Sequence, residues 1–158
     1  MTVLGLDLAS HTGYAVLKEG TELIVSGTQK FKGKPSKKFC DFRDWFERLL
    51  AESMPDLVVY ERPHFRGYAA TVIGVGLSTI VRMNCYLHGF PVIPVHTATL
   101  KSFATHYGKA TKKQMTEGIN AVFKDLKLTT KENNDEADAI WLALFGSKLS
   151  DEEIRKLQ

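Results

Sequence analysis

Thr2-Val3-Leu4-Gly5-Leu6-Asp7-Leu8 is a short apolar run broken by a single acid, and Ala9-Ser10-His11-Thr12-Gly13-Tyr14-Ala15-Val16 follows it directly. Residues 2–8 read as a buried strand. Residues 13–18 and 22–29 read as two more, with a link at Glu19-Gly20 short enough for a hairpin. Three strands with short links are most simply an antiparallel meander. Further on, Leu57-Val58-Val59-Tyr60 is continuously apolar, as expected of a parallel strand covered on both faces. Pro91-Val92-Ile93-Pro94-Val95 reads as a fifth strand, placed at an edge by its prolines.

Helical patterns fill the intervals. Lys30 to Lys38 holds five lysines, a glycine and a proline, so it reads as a loop, with Ser36 as the expected N-cap of the next helix. Phe39, Phe42, Phe46, Leu49 and Leu50 recur at helical spacing, and Pro55 ends that helix. Residues 68–88 read as a second helix despite Gly74 and Gly76. A third begins near Thr97 and stops before Gly108. Thr111 and Gln114 have capping-box spacing for a fourth. A fifth begins at Asn133 or Asn134, with Gly146 as its expected C′ residue. Ser150 and Glu153 suggest a short final helix, so residues 148–158 form a helix or tail. The expected architecture is α/β: a mixed five-strand sheet, three antiparallel then two parallel strands, flanked by helices.

Composition bounds the function. The 158 residues suit a single domain spanning 1–158. With 44% hydrophobic and 25% charged residues the chain is expected to fold around its own core. No run of about 18 apolar residues is evident, and no leader pattern opens the chain, so neither a membrane partner nor secretion is expected. Cys40 and Cys85 allow at most one disulfide and are expected to be buried or idle thiols. A net charge of +3 permits a nucleic-acid partner without demanding one.

Four acids stand out. Asp7 lies in an apolar strand beside Gly5, which is expected to leave space for it; it reads as a turn-capping residue or as a paired, cation-binding one. Glu61 closes the fourth strand, either as a solvated terminus beside Arg62 or at the strand end where open α/β sheets place their sites. Asp135 and Asp138 share a helix face at i, i+3. Asp135 and Glu136 suit a helix first turn. Asp138 runs into Ala139-Ile140-Trp141-Leu142-Ala143-Leu144, so its turn is expected to face inward. If the first and fourth strands are neighbours, all four acids meet in one cleft. Hard cations such as Mg²⁺ or Mn²⁺ would neutralise them. Two such ions about 4 Å apart make a phosphodiester-hydrolysis site.

These motifs resemble the RuvC family of Holliday-junction resolvases, within the ribonuclease H-like superfamily. Gly5-Leu6-Asp7-Leu8-Ala9-Ser10-His11-Thr12-Gly13-Tyr14 is similar to its first motif, Tyr60-Glu61-Arg62-Pro63 to its second, and Asp135-Glu136-Ala137-Asp138-Ala139 to its third. Leu8-Ala9 departs from the Asp-Pro-Gly usual in the first. The resemblance implies a ribonuclease H-like fold and a homodimer that nicks four-way DNA junctions. It implies two Mg²⁺ ions, replaceable by Mn²⁺, held by Asp7, Glu61, Asp135 and Asp138. It implies Lys113 as the lysine assisting at the phosphate, where the residues alone allow a surface lysine, and Lys101 as a DNA contact. Phe65 and Tyr68, with Arg66, lie where the family reaches the junction centre; Phe65 could wedge between bases or be core. The helix around Gly74, Gly76, Ser78 and Thr79 resembles the family's dimer helix, its small residues allowing close approach.

Lys30, Lys32, Lys34, Lys37, Lys38, Lys109 and Lys112 are expected to line the DNA path, although each stretch also suits a solvated loop or helix start. The expected setting is the cytoplasm of a bacterial or phage-infected cell, without a nucleotide cofactor. Three other readings stay open: a sugar-kinase-like phosphotransfer fold, for which the chain is short; a noncatalytic junction-binding module; and a nuclease of the same fold acting on other branched DNA or structured RNA.

Overall fold

Five strands form one sheet in the order β3-β2-β1-β4-β5. They are β1 (Thr2–Asp7), β2 (His11–Lys18), β3 (Glu22–Lys30), β4 (Leu57–Glu61) and β5 (Val92–Val95) in this computed structural model, which describes residues 1–65 and 67–158. β1 runs antiparallel to β2 and parallel to β4, so the meander joins the parallel half through β1, with β5 at the edge as expected. β2 starts at His11, earlier than its pattern suggests, because His11 pairs with Lys30 of β3. The parallel ladder reaches Leu6 opposite Tyr60. Asp7 and Glu61 therefore end two adjacent strands.

Side chains alternate across the sheet, and each face has its own core. Leu4, Leu6, Val16, Val58 and Tyr60 pack against Phe42 and Phe46 of α1 (Pro35–Ser53) and Leu77, Val81 and Cys85 of α2 (Tyr68–His88). Val3, Ala15, Leu17, Leu57 and Val59 pack on the other face. They meet α3 (Thr97–Thr105), α4 (Lys112–Val122) and above all α5 (Asn134–Ser147). The short α6 (Asp151–Leu157) follows, capped by the expected Ser150–Glu153 box.

α5 lies closest to the sheet. A Cβ on Gly5 would stand 2.1 Å from the Ala139 carbonyl oxygen and 2.6 Å from the Ala143 nitrogen. One on Gly13 would stand 1.9 Å from the Asp135 carbonyl oxygen. These glycines let the helix backbone touch the strand backbone. The space beside Asp7 that the sequence suggests is thus filled by the helix. Gly146 is also reassigned: it lies inside α5, where Val59, Val3 and Leu57 side chains crowd its missing Cβ, and Lys148 caps the helix in its place. Trp141 locks α5 to α4 by donating Nε1–H to the Met115 carbonyl at 2.9 Å.

Other expectations need amendment. Lys34, not Ser36, occupies the N-cap of α1, because Pro35 starts the helix with its φ already set. Gly74 and Gly76 of α2 face Pro63 and the Phe39 ring of the same chain, and Ser78 is buried, so these small residues serve internal packing. The outward side of α2 carries Val75, Met83, Tyr86 and Leu87. By length and composition α2 could cross a membrane, contrary to the expectation from the sequence. Here it packs on the sheet and α1. Cys85 is buried, its thiol pushed up to about 12 by burial, while Cys40 is exposed; both are free.

Candidate active site

The ends of β1 and β4, the start of α5 and the starts of α3 and α4 surround one cleft of about 680 Å³. Asp7, Glu61, Asp135 and Asp138 all line it. They arrive by three local causes. Asp7 alternates with Val3 and Gly5 and so faces α5. Glu61 is the last residue of β4. Asp135 and Asp138 are presented by the first turns of α5, which the glycine contacts hold against the sheet. Glu136, between them, points away: it accepts from Ser26 Oγ at 2.6 Å and from Asn133 Nδ2 at 3.0 Å, pinning the helix start to β3.

The ionisation of Asp7 and Asp138 is opposed by burial and by the neighbouring acids. Burial, then the charges of Asp138, Glu61 and Asp135, hold the Asp7 carboxyl well above the usual carboxylate range, against a smaller opposing pull from Lys112. Burial, followed by Glu61, pushes Asp138 up to about 7, with Lys112 and Lys101 opposing. The protein's own cations therefore leave the acidic charge incompletely balanced. The donor set is oxygen only, which fits a hard divalent cation. Among the described residues, no three His, Cys, Asp or Glu side chains form a ready-made metal cage. The carboxylates share the cleft without meeting at one point.

The lysine assignment changes. Lys113 is exposed and stands 3.7 Å from Glu117, off the cleft. Lys112 lines the cleft instead. Successive residues are about 100° apart around a helix, and Lys112 shares the face of buried Met115 and Ile119, three and seven residues on. That periodicity is the signal that singles it out. Thr111 caps the helix through the expected box with Gln114. Lys101 also lines the cleft, as does Lys38, which donates to Ser10 Oγ at 2.8 Å across the β1–β2 turn.

Arg62 also lines the cleft, whereas most of the other lysines expected on the DNA path do not. Lys30, Lys32, Lys34 and Lys109 do not line the cleft, and Lys37 pairs with Asp41. Phe65 and Tyr68 are 86% and 88% exposed, so the core alternative for Phe65 does not hold. Arg66 lies outside the described residues.

Two cleft residues escape the sequence reading. His64 Nε2 stands 2.8 Å from Glu61 Oε1, and the Thr97 hydroxyl donates to the same oxygen. Thr97 is brought there by β5, whose Val95 pairs with Glu61, two residues before α3 begins.

No protein-family model matches the chain. Over 152 residues it is 31% identical to a Carboxydothermus hydrogenoformans protein named crossover junction endodeoxyribonuclease RuvC, spanning 92% of this chain and 95% of that one. A Rickettsia prowazekii protein of the same name is 31% identical over 155 residues, covering 90% and 94%. In fold, the chain is similar to Thermus thermophilus RuvC in complex with a Holliday junction substrate. The TM-score is 0.79 at 19% identity, over 91% of each chain.

Proposed function

The chain belongs to the RuvC family of crossover junction endodeoxyribonucleases, and from that membership we propose that it nicks four-way DNA junctions at the four-carboxylate cleft. One observation carries the assignment to this cleft: acids from three separate segments, Asp7, Glu61 and the Asp135–Asp138 pair, line it together with Lys38, Lys101 and Lys112. A noncatalytic module has no need to hold a buried Asp7 beside three other acids. The family is metal-dependent. Asp7, Glu61, Asp135 and Asp138 would hold the cation, two Mg²⁺ ions in the fullest reading, with Mn²⁺ as substitute. Bound there, the metal would neutralise the carboxylates, activate water and stabilise the leaving oxygen.

The chain's own groups do the rest. Lys112, in the first turn of α4, holds a phosphate oxygen where the helix dipole favours negative charge. Lys101 and Lys38 draw the backbone to the cleft from two other sides. Phe65 and Tyr68 offer exposed rings to unstacked bases. The outward apolar residues of α2 support a homodimer, which would set two clefts to make paired nicks. The same reading places the protein in the cytoplasm of a bacterial or phage-infected cell.

The test is a gel assay on a four-way junction, a fork, a linear duplex and a structured RNA, with Mg²⁺, Mn²⁺ or EDTA. Paired nicks on the junction, lost in EDTA, are expected. Equal cutting of forks would make the enzyme a general branched-DNA nuclease. Tight junction binding without cutting would return the binding-module reading.

A further inference from the structure

Glu61 differs from the other three acids in having two side chains placed on a single oxygen. The Thr97 hydroxyl donates to Oε1 and His64 Nε2 lies 2.8 Å from that same atom, while Thr97 and His64 are themselves in hydrogen-bond contact. A proton on Nε2 satisfies all three contacts: Thr97 donates to the carboxylate, and the imidazole N–H is shared between carboxylate and hydroxyl. Among the described residues no hydrogen bond reaches Oε2, and Glu61 lines the cleft. The Glu61 side chain is only 12% exposed, so a lost partner is poorly replaced by water.

We propose that Thr97 and His64 are positioning residues for the nuclease reaction: they grip Oε1 of Glu61 and so aim Oε2 into the cleft as a single-oxygen ligand for the divalent cation. This rests on the reading of Glu61 as a metal-holding residue. Partners of this kind fix which lone pairs a ligating carboxylate presents, and their removal typically costs 10–100-fold in metal affinity or activity. The two are supplied by different elements. Thr97 opens a helix fixed to the sheet edge, and His64 sits in the segment that carries Phe65. Thr97 therefore sets the rest position of Glu61, and His64 ties that position to the segment offered to the DNA.

Thr97→Val keeps the shape of Thr97 and removes its donor. Binding of Mn²⁺ alone to the full chain, followed by electron paramagnetic resonance, should weaken roughly 10–100-fold. The Mg²⁺ concentration for half-maximal junction cleavage should rise by a similar factor. The melting temperature and junction binding in EDTA should stay as in the parent, and Thr97→Ser should restore metal affinity. His64→Ala, on an exposed segment, removes the other donor, should weaken Mn²⁺ binding in the same direction and serves if Thr97→Val does not fold. Parent-like Mn²⁺ affinity in Thr97→Val and His64→Ala, alongside its loss in Glu61→Gln, would overturn the positioning role alone. Parent-like Mn²⁺ affinity and cleavage in Glu61→Gln would remove the metal-holding role of Glu61 and this inference with it.

Discussion

The two faces of the sheet solve the same burial problem in opposite ways. On the α1–α2 face the core is built from large rings: Phe31, Phe42 and Trp45 meet edge-on or tilted, and Phe42 stacks on Phe46. Bulk holds the helices off the sheet there. On the α5 face the contact is backbone against backbone at Gly5 and Gly13, and Ala137, Ala139 and Ala143 are fully buried. A ring-packed face can adjust by side-chain rotation. A backbone contact cannot, and it is this rigid contact that sets Asp135 and Asp138 beside Asp7. The face that carries the acidic cleft is thus the one where one methyl group matters.

The sharpest way to break that contrast is to add the methyl. Gly5→Ala should lower unfolding free energy in urea by about 3 kcal/mol or more, at the top of the usual overpacking range, and should take cleavage with it. Leu50→Met, on the other face, should cost less than about 1.5 kcal/mol and leave cleavage intact. Equal costs would show that α5 shifts as easily as α1.

A second comparison lies on α4. Lys112→Ala should slow single-turnover junction cleavage on the order of 10²-fold, as for removal of one stabilising donor, while Lys113→Ala should change it little. A larger effect at Lys113 would restore the reading that the resemblance to the family implies.

The acidic cleft also predicts a pH dependence in metal-free protein. Asp138 is raised from 3.8 to about 7, so the folded state binds more protons than the unfolded one between those values. Stability therefore falls as pH rises through that window. Asp138→Asn should flatten the fall, a difference on the order of a few °C in Tm between pH 4 and 7 in EDTA. Parallel Tm profiles would mean that Asp138 is solvated.

The smallest effect is expected at the loop. Replacing Lys32 and Lys34 by Ser should reduce the salt slope of junction binding by roughly 0.9 for each phosphate no longer neutralised, leaving the cleavage step unchanged. An unaltered slope would remove the loop from the DNA path.

Much of this is legible in the residues alone. Period-two and helical patterns give five strands, the antiparallel meander of the first three and the edge place of β5; that β1 lies beside β4 is only a condition in the sequence, and the fold supplies it. The four acids stand out because a charge in such a run, or beside one, has few other uses. What stays hidden is of two kinds. Gly5 and Gly146 read locally as space and as a helix ending, because a glycine's neighbour in a fold is invisible in its own segment; both in fact admit close packing between α5 and the sheet. Thr97 and His64 are unremarkable locally and gain meaning only where β5 lies beside β4. Lys112 is different: it stands about one helical turn before Met115, so its face is readable from periodicity, and only the resemblance to the family favours its neighbour.

The cleft built around Asp7 is the proposed place where DNA is cut. That placement is tested most directly by single-turnover cleavage of a four-way junction in Mg²⁺ by Asp7→Asn, with junction binding measured in EDTA. Parent-like binding and no detectable nicking are expected, because an amide is an uncharged, poorer ligand for a hard cation. Nicking at the parent rate would contradict it and move the chemistry away from the four-carboxylate cleft.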